Sequence, residues 1–485
     1  MADMLWTIDA LVAAAAGRAD GDFPASGGVS GISIDTRSIV PGELFVALKD
    51  QRDGHDFVPA AFAKGAGAAL VAQTYQRQDG DGLLIRVDDV LAALERIGAA
   101  ARARLGRDAR VIAVTGSAGK TTTKEMARLA LAPLGACHVS DKSFNNHWGV
   151  PLTLARMPAT TCYGVFEIGM SHAGEITPLT KLARPNVAIV TTVVAAHLAS
   201  FNSVDDIARA KAEIMDGLEP GGIAVLNRDN PHYGLLRAAA LARSGVNVVS
   251  FGESAVPQGD GAGSLRLLTM QAHAAGTLVR ARLGHDDAAA GREIEFVVRA
   301  SGRHMIFNAL AVLAACHAAG ADITKAAEGL GAFTPPGGRG SRHEVGVGGG
   351  TLLLIDESYN ANPASMEAAI AAMGSVLRQA YPRRVIVLGD MLELGGHSRA
   401  LHEGLGTAIA AAGIDLVFAA GPMMRHLYDA LPAGCQGAWA DKSADLEGAL
   451  KERLAPGDVV MIKGSNGSRM APLVEMVRSL GAKAA

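Results

Sequence analysis

Short runs of apolar, often β-branched residues alternate along the chain with longer stretches in which apolar positions recur every three or four residues. That alternation predicts α/β architecture with mainly parallel sheets, and it falls into three blocks. The first, to about residue 85, carries GISIDTRSIVPGELFVAL and ALVAQ. Ahead of these, Ile8, Leu11, Val12 and Ala15 fall at helical spacing behind Thr7, a side chain suited to N-capping. The second block opens with a strand over 111–115 and continues with strands over 165–168, 187–193, 224–227 and 246–251. Residues 253–292, rich in Gly, Ala and Asp, break the rhythm, and the alternation in LVRARL and REIEFVV predicts an antiparallel ribbon inserted near the block's end. A helix over 301–319 closes the block. TPPGGRG at 334–340 has the composition of a linker. Beyond it, strands over 352–356, 385–389, 416–420 and 459–463 alternate with helical patterns in a Rossmann-like arrangement. The boundaries expected are 1–88, 89–332 and 333–485.

Composition narrows the function without choosing it. A chain of 485 residues with 49% hydrophobic and 19% charged residues and a net charge of −3 reads as a multidomain globular protein, without the basic surface that nucleic-acid binding requires. Cys137, Cys162, Cys316 and Cys435 lie far apart, which argues against a disulfide framework or a zinc site and fits a reducing compartment. The first residues, MADMLWTIDALVAAAAG, have no basic n-region, and the longest apolar stretch, 305–321, is interrupted by Asn308 and His317. A buried helix ending at Gly320 accounts for that stretch better than a bilayer span. The expectation is a cytoplasmic protein that is neither secreted nor membrane-inserted.

The chemistry begins at RVIAVTGSAGKTTTKE, residues 110–125. A strand runs into a glycine-rich turn and then into a helix, the context of a phosphate-binding loop over Thr115, Gly116, Ser117, Ala118, Gly119, Lys120, Thr121 and Thr122. Its glycines let backbone N–H groups point inward, and the helix start adds its positive dipole end. Lys120 can reach the β- and γ-phosphates, and Thr121 can hold Mg²⁺. The spacing departs from the commoner one, which would place glycine where this chain has Val114. Glu167, His197 and Lys211 follow near strand ends or on a helix. By spacing alone each reads as ordinary: a surface acid, a loop histidine and a solvated lysine. His304 and Asn308 share a helix face, where they either touch a nucleotide or satisfy backbone. In LLLIDESYNANPASM, Asp356, Glu357, Tyr359 and Asn360 crowd a strand end, with Asn362 and Pro363 as N-cap and first helical residue. Asp390 and the stretch 463–465 end two further strands with polar groups, which favours a ligand-facing edge.

Together these segments resemble the Mur ligase family of ATP-dependent amide-forming enzymes: TGSAGKTT, EIGMSHAGEI, AAHLASF with ARAKAEI, SGRHMIFNALA, GGRG and DESYNANPASM follow in that family's order over nearly the whole chain. Within it, SIDTR, PGELFVAL, DGHDF, SFNNHWGVPLTL and LGDMLELG are most similar to the branch that adds D-alanyl-D-alanine to UDP-N-acetylmuramoyl-tripeptide. The resemblance implies three domains: an N-terminal UDP-substrate domain, a central P-loop domain and a C-terminal Rossmann-like ligase domain. It implies two Mg²⁺ ions, held by Thr121 and Glu167 and by His197 and a carbamylated Lys211, with Lys120 on the phosphates. His304 and Asn308 would lie near the base or ribose, and Arg339, Asp356, Tyr359 and Asn360 would contact ATP from the third domain. Ser33, Asp35, Thr36 and Arg37, with Asn145 and Asn146, would line the UDP-sugar-peptide site. The partners implied are small molecules, for an enzyme expected to be monomeric. Two positions depart from the family: an acid is expected at Ala199, and glycine is common at Ser143. Folylpolyglutamate synthases share the loop but not the first block. The ligase adding the third peptide residue shares that block, but its Asp-Asn-Pro-Arg mark is only approached by DNPH at 229–232. A nucleotide-gated scaffold with a dead site is the reading from a different class.

Overall fold

The computed structural model describes residues 4–22, 27–141, 143–285, 291–300 and 302–481. The central sheet has nine strands, in the spatial order Arg292–Val298, Gly276–Leu283, Leu265–His273, Asn247–Gly252, Ile223–Asn227, Val187–Val190, Arg110–Thr115, Tyr163–Glu167, Cys137–Val139. Pairing is parallel from Cys137–Val139 as far as Leu265–His273, and the last two pairings are antiparallel. The inserted ribbon is therefore present, but it extends the main sheet through Phe251↔Leu265 instead of standing apart. Residues 286–290 of the insertion and residue 301 of the expected helix lie outside the described residues.

Alternation explains the ribbon: Ile294, Phe296 and Val298 are buried while Glu293 and Glu295 are exposed, as a strand with one covered face requires. By contrast Arg110–Thr115 is buried almost throughout, as a parallel strand covered on both faces must be. Chain connections leave Arg110–Thr115 toward Cys137–Val139 on one side and resume at Val187–Val190 on the other, so the sheet reverses direction beside the phosphate loop. Open α/β sheets bind ligands at such a point.

The helix Arg303–Ala318 is buried along most of its length and fills the space between the sheet and the helix Lys120–Leu131. An apolar surface all round suits a helix enclosed on every side. Leu310, with no exposed surface, sits in that cluster. Leu310→Ala is expected to destabilise the protein by about 2–5 kcal/mol through lost burial and a residual cavity, read as a lower denaturation midpoint in urea.

The first sheet has five strands, ordered Arg18–Asp20, Leu84–Val87, Ala68–Ala72, Leu44–Val46, Ile32–Ser33. Its core includes Val90, Leu94 and Ile97 of the helix Val90–Ala103 and Leu152 and Ala155 of Gly149–Ala155. Thr7 caps Ile8–Ala15 by accepting from the Ala10 N–H, as its position predicts. The third sheet has six strands, ordered Ser341–Val347, Gly350–Glu357, Asp458–Lys463, Arg383–Gly389, Leu416–Ala420, Gln436–Ala440, with only the first pairing antiparallel. No helix among the described residues is long and apolar enough to cross a membrane.

Candidate functional site

Val114 is fully buried in the central sheet, so the loop turns only after Thr115, and that explains the compressed glycine spacing. Both glycines are required. Gly116 (φ 152°) lies so close to Thr191 that a Cβ would come within 1.9 Å of its hydroxyl, and a Cβ on Gly119 (φ 82°) would come within 2.7 Å of Asn308 Oδ1. Thr191 holds the loop by donating to the Ala118 carbonyl (2.6 Å), and its own N–H reaches the Thr115 carbonyl (3.0 Å). The Ser117 N–H donates to the Thr192 carbonyl (2.9 Å), and its hydroxyl donates to the Val194 carbonyl (2.9 Å). Thr122 is buried in the helix that follows.

Lys120 folds back on this loop, its Nζ donating to the Gly116 carbonyl at 2.8 Å. Burial lowers its pKa, Glu167 opposes that shift, and Arg339 adds to it from the third domain. Beneath the loop, Glu167 is 1% exposed and holds two partners: Thr121 Oγ1 donates to Oε2 and Asn145 Nδ2 to Oε1, both at 2.7 Å. The sheet register makes this meeting possible by pairing Glu167 with Val114, one residue before the loop. Ser143 Oγ lies 3.4 Å from Thr121 Oγ1 and accepts from the Tyr359 hydroxyl at 2.9 Å.

His197 and Lys211 stand near Lys120. Lys211, on Val204–Ala212, is 2% exposed, and burial together with nearby Lys120 pushes its pKa well below the ordinary lysine value. Burial also lowers the pKa of His197; the Glu393 carboxylate at Nδ1 opposes the shift, and Lys120 and Lys211 add to it. Among the described residues, no group of three or more His, Cys, Asp and Glu gathers as a ready-made metal cage.

The third domain meets the loop directly. Asn362 caps Pro363–Gly374 in a reciprocal box with Ser365, and its Nδ2 donates to the Ser117 carbonyl at 3.3 Å. The Arg339 guanidinium stacks over the Tyr359 ring, 4.0 Å from its centroid. Between the start of Arg303–Ala318 and this domain lies a cleft of 640 Å³ lined by His304, Met305, Gly340, Arg342, Asp356 and Glu357, among others. Burial lowers the pKa of His304, against nearby Glu357. Thus of the pair sharing a helix face, His304 faces the cleft and Asn308 packs on the phosphate loop.

Several polar strand ends have partners within their own domain. Asp356 accepts from the Gly338 N–H (2.7 Å) and from the Ser358 hydroxyl (2.6 Å), fixing the linker to the strand end. Asn360 Oδ1 accepts from the Ala361 N–H (2.9 Å), and its carbonyl accepts from Lys463 Nζ (3.0 Å). Asp390 accepts from the Met424 N–H (2.7 Å) at the start of Pro422–Ala430, where it serves as a helix cap. In the first domain, Asp35 pairs with Arg37, the buried Ser33 hydroxyl bonds the Asp35 backbone, and the Thr36 carbonyl accepts from Lys64 Nζ. Asn146 Oδ1 accepts from the Gly149 N–H (2.9 Å) at the start of Gly149–Ala155. Between Asn146 and the loop, Phe144 packs on the first domain's core while Asn145 reaches Glu167, so one short segment joins the two sites. Glu393 and Thr191 carry no signal in the sequence beyond being a charged and a polar residue near strand ends.

Comparison with known proteins agrees with this arrangement. Residues 114–316 match the Mur ligase middle domain, and residues 342–466 match the Mur ligase glutamate ligase domain. The chain is 36% identical over 450 residues to UDP-N-acetylmuramoyl-tripeptide–D-alanyl-D-alanine ligase of Escherichia coli, covering 93% of each. Among solved structures it is similar to MurF from Acinetobacter baumannii, with a TM-score of 0.81, 28% identity, and coverage of 98% of this chain and 99% of that one. It is also similar to MurF ligase from Thermotoga maritima in complex with ADP, with a TM-score of 0.74, 25% identity, and coverage of 94% and 98%. With the phosphate loop, the buried Glu167 and the third domain docked over both, these matches identify the chain as a member of the Mur ligase family.

Proposed function

We propose that this enzyme joins D-alanyl-D-alanine to the terminal carboxylate of UDP-N-acetylmuramoyl-tripeptide, using ATP, in peptidoglycan precursor synthesis. The observation that carries the reading is the convergence of the phosphate loop, the Thr121–Glu167–Asn145 cluster and the third-domain residues Tyr359 and Asn362. Relatives bearing that activity in their names match over nearly the whole length of the chain.

The chemistry is carboxylate activation. A tripeptide carboxylate oxygen attacks the γ-phosphorus of ATP, the bond to the β-γ bridging oxygen breaks, and ADP departs. The dipeptide amine then attacks the acyl phosphate carbonyl carbon, and the tetrahedral adduct loses a proton from nitrogen and expels phosphate. Two anions must approach each other in the first step, so charge screening is the main demand. Lys120 supplies a cation over the phosphates once it leaves the Gly116 carbonyl, and the loop's N–H groups supply fixed dipoles. Arg339 adds positive charge from the third domain. The remaining contacts to ATP are assigned to Thr115–Thr122, His304, Asn308, Asp356, Tyr359 and Asn360, and those to the UDP substrate to Ser33, Asp35–Arg37, Asn145 and Asn146.

The donor set suits Mg²⁺. That ion takes one or two protein carboxylates or hydroxyls and completes its shell with phosphate and water instead of a full protein cage. Thr121 and Glu167 would hold one ion, and His197 with a carbamate on Lys211 the second. Lewis-acid screening of the phosphate oxygens is the chemistry such ions supply. Lys211 fits carbamate formation because it is buried beside another amine: the neutral amine adds CO₂, loses a proton, and becomes an anionic oxygen ligand where a cation would repel metal. We assign 1–88 to substrate, 89–332 to ATP and 333–485 to closing the site.

Phosphate release is expected to require UDP-N-acetylmuramoyl-tripeptide and D-alanyl-D-alanine together. Steady release without either would mean a simple ATPase, and none under any condition a scaffold.

A further inference from the structure

Among the described residues, Ala16, Arg184, His197, Glu393 and Arg469 are the non-glycine residues with positive φ. Three of them, Ala16, Arg184 and Arg469, close helical segments as C-caps, the ordinary use of that conformation. His197 (φ 56°) precedes the 3-10 turn Leu198–Ser200 and Glu393 (φ 63°) lies in a loop, so neither closes a helix as a C-cap, and they touch each other across the boundary between the second and third domains. The imidazole Nδ1 meets the Glu393 carboxylate. Next to them the Ala199 N–H donates to the Glu393 carbonyl (3.1 Å), and a Cβ on Gly395 would come within 3.3 Å of the Ala199 Cα. Leu198 packs against the cores of both domains. Two loops in a sparsely populated conformation are thus fixed against each other by backbone as well as side chains, where His197 meets the third domain. Strained residues of this kind persist where the surroundings over-determine them, and they gather at functional sites.

The geometry points to Glu393 as a positioning residue: docking of the third domain brings its carboxylate to Nδ1 of His197, fixes the imidazole's tautomer and orientation, and so makes the second metal site complete only in the docked arrangement. A carboxylate accepts, so Nδ1 carries the hydrogen and Nε2, across the ring, keeps the lone pair that a metal needs. Merely as an exposed ion pair the contact would contribute little, since Glu393 is 61% exposed. Its geometry suits orientation better than stability. Alanine at 199 belongs to the same design, for it admits the third-domain loop at close range. The carboxylate near His197 then comes from position 393, on the other domain, and not from 199.

This inference rests on His197 being a metal ligand, and the experiment separates the two claims. Mn²⁺ binding to the full chain, in the presence of a non-hydrolysable ATP analogue, is measured by calorimetry alongside hydrogen exchange over 198–201. Glu393→Ala is expected to weaken Mn²⁺ binding about 10–100-fold with global unfolding unchanged. Glu393→Gln, whose amide oxygen still accepts from Nδ1–H, is expected to recover most of that loss, and exchange over 198–201 is expected to rise in the alanine variant. If His197→Ala weakens binding and Glu393→Ala does not, or if Glu393→Gln loses as much as Glu393→Ala, the positioning role falls. If His197→Ala binds Mn²⁺ as the parent does, the metal reading of His197 falls first and this inference with it.

Discussion

Lys120→Ala is expected to lower the rate of substrate-dependent phosphate release by about 10²–10³-fold or more, the cost of removing one preorganised charge from a developing anion, without destabilising the protein. The second half of the expectation comes from the free site. Lys120 Nζ bonds the Gly116 carbonyl, and no ion pair holds it there among the described residues. Burial disfavours its charged form. A lysine whose pKa is lowered on folding binds fewer protons folded than unfolded, so it weakens the fold at pH below the shifted value and ceases to do so as pH rises through it toward 10.5. Removing it should leave thermal stability at neutral pH equal or slightly higher. The amine is therefore held at an energetic disadvantage that bound phosphates reverse. A variant that lost activity because its loop collapsed would unfold at lower temperature, and a variant retaining more than about a tenth of parent activity would remove Lys120 from the transition state. Kinetics and a thermal scan on the same preparation distinguish these outcomes.

The phosphate loop was legible in the chain because its parts are neighbours. Gly116, Gly119, Lys120 and Thr121 lie within six residues, and strand and helix flank them directly. Glu167, His197 and Lys211 could not be chosen the same way. Each has an ordinary local reading, and what distinguishes them is register: Glu167 pairs beside Val114, and Val190 beside Thr115, which delivers separate strand ends to one loop. Register is a long-range property, set by packing on both faces of the sheet. Glu393 lay further out of reach, since its partner is 196 positions away in another domain. The strands Cys137–Val139 and Gln436–Ala440 escaped notice for a different reason. Both are edge strands of intermediate burial, and short half-exposed strands carry little apolar signal. The ribbon's alternation was visible, whereas its attachment to the main sheet rests on two residue pairs, Phe251↔Leu265 and Gly252↔Arg266, that no periodicity announces. In the third domain, polar strand ends suggested a ligand-facing edge. Asp356 and Asp390 also hold their own loops, because buried backbone N–H groups at strand ends need acceptors wherever they occur, and Asp356 lines the cleft as well.

Lys211→Ala is expected to abolish turnover at ordinary buffer composition and to regain part of it when formate or acetate is supplied at high concentration. The loss follows from the site: Lys211 is 2% exposed, close enough to Lys120 for the two to repel, and has no carboxylate paired with it among the described residues. A lysine kept only for its own charge would not be buried beside a second cation, since that placement disfavours the charge. A lysine that becomes a carbamate would exchange the repulsion for attraction, because its new oxygens would be anionic and would attract both Lys120 and a metal ion. Alanine leaves a cavity about the size of that side chain, and a small carboxylate entering it restores the anionic oxygens but not the covalent tether. The regained rate should therefore rise with carboxylate concentration and saturate, and chloride at equal ionic strength should have no effect. Exhaustive removal of CO₂ should slow the parent enzyme and leave the variant unchanged. Lys211→Ala working at parent speed would overturn the carbamate assignment outright. Loss without rescue by any small carboxylate, in a variant that still folds, would mean that Lys211 acts as an amine, and the second metal site would then need another anionic ligand.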